Sequence, residues 1–431
     1  MISSALILIL VFLILLSLRV PIAFSIAIAS LVTLLLNMPA DIAVTTMAQR
    51  MATGLDSFTL TAIPFFILAG ELMNRGGIAN RLINLAKAMV GSLPGGLGFV
   101  NIISCMLFGA VSGSAVAAAS AIGGFMGKQM EKEGYEKSYG AAVNISSSVT
   151  GLIIPPSNVL IVYSLASGGA SIAALFLAGY LPGILLGAAL MIVAGVYAYR
   201  RGFPTGSRVG FREGFKHFIN AFPSLLLLVL IIGGIVSGIF TATEASAVAV
   251  LYAFILSFFI YKEIDLKGLY EILVSSGKTT GIVMLLIACS STMSWVMSYE
   301  SLPQQVSDLI LSLSENKLVV LLLINLVLLA VGTFMDITPA VLIFTPIFLP
   351  VAIDLGMSEI HFGIMMVLNL CIGLCTPPVG TVLFVGSSVA GLKINEVIRP
   401  LLPLFVAMLV VLLLVTYIPG ISTWLPEVFG F

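Results

Sequence analysis

The chain has 431 residues, of which 60% are hydrophobic and 9% charged, and its 19 Lys and Arg balance 19 Asp and Glu to a formal net charge of zero. Soluble domains are nearer ~45–50% apolar and ~25% charged, so a mean hydropathy of +1.18 excludes a water-soluble globular domain. The neutral balance gives no nucleic acid a surface to bind, and runs near the ~20 residues of a membrane-crossing helix, without strand alternation, predict an all-α polytopic membrane protein in a lipid bilayer.

Residues 3–18 have no basic leader and no small-residue cleavage pattern, so they read as the first membrane helix rather than a secretory signal. Crossings follow at 21–37 and 58–74, with Glu71 placed at an interface near the inner end of the latter. The stretch 97–126 is apolar but interrupted at FGAVSGSAVAAASAIGG. There Ser112, Gly113 and Ser114 supply hydroxyls and permissive backbone, although small residues also serve close helix packing. Residues 139–168 are broken at GLIIPPSNVL, because two prolines remove two backbone donors and clash with the preceding turn. A crossing at 172–199 leads into a basic linker, 200–220.

The second half predicts crossings at 221–240, 243–260 and 280–298. Glu244, at the start of the second of these, suits helix capping at least as well as a functional role. Residues 317–350 are interrupted at VGTFMDITPAVLIFTP. A carboxylate at membrane depth costs roughly 2.5–3.5 kcal/mol on insertion scales, so Asp336, beside Thr338, either faces a cavity or an ion or caps a helix near the surface. Residues 361–391 break again at GLCTPPVGTV, and 400–419 form the last crossing. His217 and His361 fall at predicted membrane boundaries and make no proton relay. Cys105, Cys289, Cys371 and Cys375 read as free buried thiols.

Charge tests this layout. With the amino terminus outside and both interrupted stretches re-entrant, only Arg50 and Lys317 of the 19 Lys and Arg fall outside. Both chain termini are then periplasmic. A shift of 222 residues lays GLIIPPSNVLIVYSLASGG on GLCTPPVGTVLFVGSSVAG, hairpin on hairpin and Ser114 on Asp336. One copy begins outside and the other inside, which is an inverted-topology repeat. Residues 1–199 form the first copy, with scaffold helices in 1–74 and a hairpin and broken helix in 95–168. Residues 221–431 form the second, with scaffold in 221–298 and the corresponding parts in 317–391. Secondary transporters use such repeats and place their sites on discontinuous helices near the midplane, where opened backbone is tolerated only beside protein or a wet cavity. Oxygen donors of Ser, Thr, Asp, Asn and opened backbone suit Na⁺ better than a transition metal.

Six stretches together, IPFFILAGELMNRGGI, SGSAVAAASAIGG, IIPPSNVLIVY, GIFTATEASAV, FMDITPAVLIFTPIFLP and TPPVGTVLFVG, resemble the large membrane subunit of tripartite ATP-independent periplasmic (TRAP) transporters. The resemblance implies an elevator-type, Na⁺-coupled importer working with a separate small four-helix membrane subunit and a periplasmic substrate-binding protein in the bacterial inner membrane. It implies one sodium site from Ser112, Gly113, Ser114 and Asn158 and another from Asp336, Thr338, Thr376, Gly380 and Thr381. Ser114 and Ser157 would contact the substrate, an organic acid such as sialic acid, a C4-dicarboxylate or another sugar acid, with sialic acid preferred. Two positions depart from the family: Ala118 stands where many relatives carry an acidic residue, and Ala242 where they carry proline. No phosphate-binding GxxxxGK[ST] loop suits a pump, Asp336 has no catalytic partner for an enzyme, and two inverted hairpins fit alternating access better than a channel pore.

Overall fold

The computed structural model describes residues 4–203, 210–313, 316–377 and 379–431. The start of the first expected span, residues 204–209 of the linker and Pro378 of the second proline pair lie outside the described residues. The described residues are helical throughout, with no strand among them. Among the described residues, seven helices are long and apolar enough to cross a membrane, or eight with one bent pair counted as a span.

The first half opens with α1 (Ser4–Ser17) and α2 (Ile22–Asn37), then α3 (Ala40–Leu55) and α4 (Ala62–Arg75). Helix α3 buries only Ala43, and its polar and charged faces kept it out of the hydropathy reading. Hydropathy likewise treated the Arg75/Arg81/Lys87 stretch as a loop. It forms α5 (Ile78–Val90), because Ile78, Leu82, Ile83, Leu85 and Ala86 make one buried stripe at helical spacing. Helices α6 (Gly96–Ser112) and α7 (Ala115–Lys132) make the first hairpin. Its tip turns at Gly113 with φ +61°, a left-handed conformation that a Cβ would strain. The broken helix is α8 (Lys137–Ser148), a 3-10 turn at Val149–Leu152, and α9 (Asn158–Ala166), followed by α10 (Ile172–Arg201).

The second half runs α11 (Phe211–Val236), α12 (Ala242–Phe254), α13 (Leu266–Tyr299), α14 (Leu302–Leu313), hairpin α15 (Lys317–Phe334) and α16 (Ile337–Asp354), broken helix α17 (Glu359–Gly373) and α18 (Thr381–Ala390), then α19 (Ile394–Tyr417) and α20 (Gly420–Val428). Glu244 caps α12: its carboxylate accepts from the Thr241 amide at 2.8 Å, while the Thr241 hydroxyl accepts from the Glu244 amide at 3.2 Å. Moving the first half by 222 residues superimposes its helix series on the second, α5 on α14 and α10 on α19 with α20. One pair differs. Helices α3 and α4 are bent by 64° at their junction, whereas α13, which covers both positions, is continuous over 34 residues. The expected crossing at 280–298 is thus only the second half of a longer helix.

The two halves interlock. The return leg of each hairpin packs on the other half's broken helix, α7 on α18 and α16 on α9. Each outgoing leg crosses its own broken helix at a glycine pair. A Cβ on Gly151 would lie 2.1 Å from the Gly109 Cα, and one on Gly373 would lie 2.6 Å from the Gly332 backbone. Backbone therefore meets backbone at both crossings, the close approach that small residues permit in lipid. Deeper in the second half, the Asn369 amide donates to the side chain and carbonyl of Asn325 at 2.7 and 2.9 Å, and Asn325 donates to Thr416 at 3.1 Å. This buried network ties α15, α17 and α19.

Candidate functional site

Hairpin tips and helix breaks meet around one cavity of about 300 Å³. Four helices begin at its wall: α7 at Ala115, α9 at Asn158, α16 at Ile337 and α18 at Thr381. Each N-terminus presents the positive end of a helix dipole, so the wall favours negative charge even where first-turn amides are already paired, as Val382 and Leu383 of α18 are with the Leu374 carbonyl. The sequence produces this convergence through its cap residues. Ser114 caps α7, its hydroxyl accepting from the Ala117 amide at 3.2 Å. Asp336 occupies the same place on α16 but makes no side-chain cap bond, which leaves its accessible carboxylate free to face the cavity.

Ser112, Gly113, Ser114, Asn158, Asp336, Thr338 and Thr381 all line this space. Ser157, Thr376 and Gly380 do not. Ser157 is fully buried and its hydroxyl donates to the Leu152 carbonyl, holding the break closed rather than facing the cavity. Thr376 donates to the Ile372 carbonyl at 2.9 Å, and Gly380 sits behind Thr381, its amide donating to Thr333 at 3.2 Å.

The two junctions differ in the oxygen donors they offer. At the second, the Thr381 hydroxyl is buried with no hydrogen-bond partner among the described residues. Gly380 has φ +26°, and a Cβ there would lie 2.8 Å from the carbonyl oxygens of Leu374 and Thr376. The Leu374 carbonyl already accepts from the Val382 and Leu383 amides at 3.1 and 3.2 Å. The oxygens this junction offers are therefore the orphaned Thr381 hydroxyl, the Thr376 carbonyl beside it and the Asp336 carboxylate on the same cavity, hard donors of the kind Na⁺ takes. At the first junction the Asn158 amide nitrogen lies 3.2 Å from the Cβ position of Gly113, so Asn158 closes on the hairpin tip from the broken helix.

The cavity also uses residues that the sequence reading gives no role at a site, Glu71 among them, which it places at an interface. Gly70, Glu71 and Asn74 of α4 and Thr279 of α13 form its other wall. Gly70 lets α4 press against the tip, since a Cβ there would meet the Ser112 carbonyl at 2.7 Å. Glu71 and Asn74 stand at i, i+3 on a helix whose other polar side chain is Arg75, and that spacing is the signal that identifies them. Beyond the cavity lining, Arg75 lies 3.9 Å from Glu71 and 3.0 Å from Glu271, tying α4 to α13.

Residues 9–421 match the family described as "Tripartite ATP-independent periplasmic transporter, DctM component". A Salmonella typhimurium protein described as "Uncharacterized protein YgiK" is 55% identical over 97% of this chain and 96% of its own. The Vibrio cholerae "Sialic acid TRAP transporter large permease protein SiaM" is 42% identical over 95% of each chain. Among solved structures the Alcanivorax borkumensis YdaH transporter has a TM-score of 0.67 at 12% identity, covering 87% of this chain and 88% of that one, a likeness of fold alone. Family match, near-full-length relatives and a helical fold of paired hairpins and broken helices converge: the chain belongs to the TRAP transporter family, as its large membrane component.

Proposed function

We propose that this protein imports an organic acid by coupling to sodium. The observation that carries the proposal is the convergence of four helix N-termini, two hairpin tips and two helix breaks on one cavity. Positive helix ends attract a carboxylate substrate, while broken helices of inverted repeats commonly hold coupling ions. Sodium occupies two junctions: Ser112, Gly113, Ser114 and Asn158 at one, and Asp336, Thr338, Thr376, Gly380 and Thr381 at the other. The buried, unpartnered Thr381 hydroxyl supports the second. Ser114 is the substrate contact with direct access to the cavity; Ser157 acts through the backbone it holds.

Hairpins and broken helices, residues 95–168 and 317–391, form the moving body of an elevator. Helices within 1–74 and 221–298 form the scaffold, with residues 200–220 as cytoplasmic linker. The backbone crossings of hairpin on broken helix support rigid movement of the first body. Glu71, Asn74 and Thr279 are next in sequence or one turn from Arg75 and Lys278, which charge placement assigns to the cytoplasm, and this supports reading the conformation as inward-open. A periplasmic binding protein delivers the substrate, and a separate small membrane subunit completes the scaffold in the inner membrane. Sialic acid is the first substrate to test, supported by the 42% identity to the Vibrio cholerae protein; C4-dicarboxylates and other sugar acids are the alternatives.

The test is uptake by proteoliposomes containing this chain and its small subunit, with binding protein outside. Accumulation of labelled N-acetylneuraminate or succinate that requires an inward sodium gradient and the binding protein is the expected result. Rapid passive sodium flux without accumulation of any organic acid would refute it in favour of a channel.

A further inference from the structure

A second chamber, of about 400 Å³, lies between α3, α13, the end of α9 and α16. Helix α13 lines both chambers with one face. Thr279 and Val283 face the first, and Ile287, Ser290, Ser294 and Ser298 continue the same stripe at three- and four-residue spacing into the second. From Thr279 to Ser298 that stripe is about 28 Å long at ~1.5 Å per residue. Val283 and Ile287 form its apolar middle, with hydroxyls beyond them.

Arg50 stands in the second chamber. Its guanidinium lies 4.9 Å from the centre of the Trp295 ring. No carboxylate lies within 4.0 Å of it and it donates no side-chain hydrogen bond among the described residues. Ser290, 3% exposed, has a buried hydroxyl with no hydrogen-bond partner among the described residues. Gly54 brings α3 and α13 together there, because a Cβ would fall 2.4 Å from that of Ser291. An unpaired guanidinium fixed on an aromatic face, opposite a ladder of hydroxyls in a concave space, is matched to a carboxylate on a polyhydroxylated or otherwise polar body.

We propose that this chamber is a receiving site for the organic acid, in which Arg50 takes the carboxylate and the α13 serines take its polar groups. This deepens the import reading and rests on it. Arg50 is one of two cations that charge placement assigns to the periplasm. Its chamber is walled by α9 and α16 of the moving body as well as by scaffold helices. A shift of that body along α13 would therefore bring the hairpin tips toward an acid already held there.

The test reads binding without transport. The chain has two tryptophans, so Trp424→Phe leaves Trp295 as the single indole reporter. The full chain in nanodiscs is titrated with N-acetylneuraminate, succinate and neutral N-acetylmannosamine. The expected result is a saturable change in Trp295 emission with at least one acid, absent with the neutral sugar and weakened by salt. Arg50→Ala should raise the half-saturating concentration about tenfold or more, with Arg50→Lys between the two, because lysine keeps the charge but loses the fork. Asp336→Asn should impair uptake yet leave this signal in place, which separates the chamber from the ion site. Accumulation by the parent that needs no sodium gradient, with the Trp295 titration intact, would fault the transport reading and not the chamber. No saturable change with either acid would overturn the proposal. So would an unaltered midpoint in Arg50→Ala. Slower uptake in Arg50→Ala confined to low binding-protein concentrations, with the Trp295 titration unchanged, would make Arg50 a protein-docking contact and also overturn it.

Discussion

Replacing Thr381 with valine separates an ion site from a packing site. The hydroxyl is buried and unpartnered, and a buried polar group without a partner costs roughly 1–3 kcal/mol. Valine keeps the branched shape and removes that cost. In sodium-free solution the variant should therefore be as stable as the parent, or more stable by up to about that amount. Sodium reverses the comparison. An ion present at 100 times its dissociation constant adds about 2.7 kcal/mol, and a tenfold loss of affinity on removing one ligand reduces this to about 1.4 kcal/mol. The assay is thermal unfolding of the full chain in detergent across a sodium series, with choline holding ionic strength constant. An unchanged sodium-dependent shift would refute the placement of Thr381 in an ion site. Destabilisation without sodium would show that the hydroxyl serves the fold.

Asp336→Asn should insert and fold normally, since the carboxylate makes no cap bond. Its sodium midpoint in proteoliposome uptake should rise roughly five- to thousand-fold, the range between ~1 and ~4 kcal/mol for a contact charge in water and near a protein surface. Gly380→Ala should abolish the sodium-dependent thermal shift, because the new Cβ would lie 2.8 Å from two carbonyl oxygens at φ +26°. Gly373→Ala should lower stability by ~1–3 kcal/mol or more through overpacking against the Gly332 backbone, whereas Gly281→Ala, with open space around it, should be neutral or gain up to ~1 kcal/mol in the same melts. Asn369→Ala should cost ~1–3 kcal/mol by leaving the buried Asn325 side-chain oxygen without its donor, read as a fall in melting temperature without a change in sodium response.

The breaks were legible because proline and glycine act locally. A proline pair ends a helix whatever packs around it, and a tip needing φ +61° selects Gly113. Helices α3, α5 and α14 were not legible to a hydropathy reading, since they lie as amphipathic elements between spans and carry charge on one side. Helix α13 was cut short for a related reason. Lys267, Glu271 and Lys278 ended the apolar window, although Asp265 was already signalling a helix start, its side chain accepting from the Gly268 amide at 2.7 Å. At the site, the reading found the tip residues but not the wall opposite. Glu71 looked interfacial in isolation, and its place at the cavity depends on Gly70 and on the path of α13. Ser157 shows the converse: Asn158 and Val159 next to it line the cavity while its own hydroxyl is spent on the Leu152 carbonyl.

The glycine crossings carry a further consequence. Where Gly109 meets Gly151 and Gly332 meets Gly373, the seam contains no side chains and hence no rotamers to rearrange. Such a seam can neither swell nor be repacked by small adjustments, so hairpin and broken helix behave there as one solid. Shape change must be taken up elsewhere, at interfaces upholstered with side chains that can slide and exchange positions. In the elevator proposed above, the glycines would mark where the moving body is welded, and the side-chain interfaces where it is lubricated.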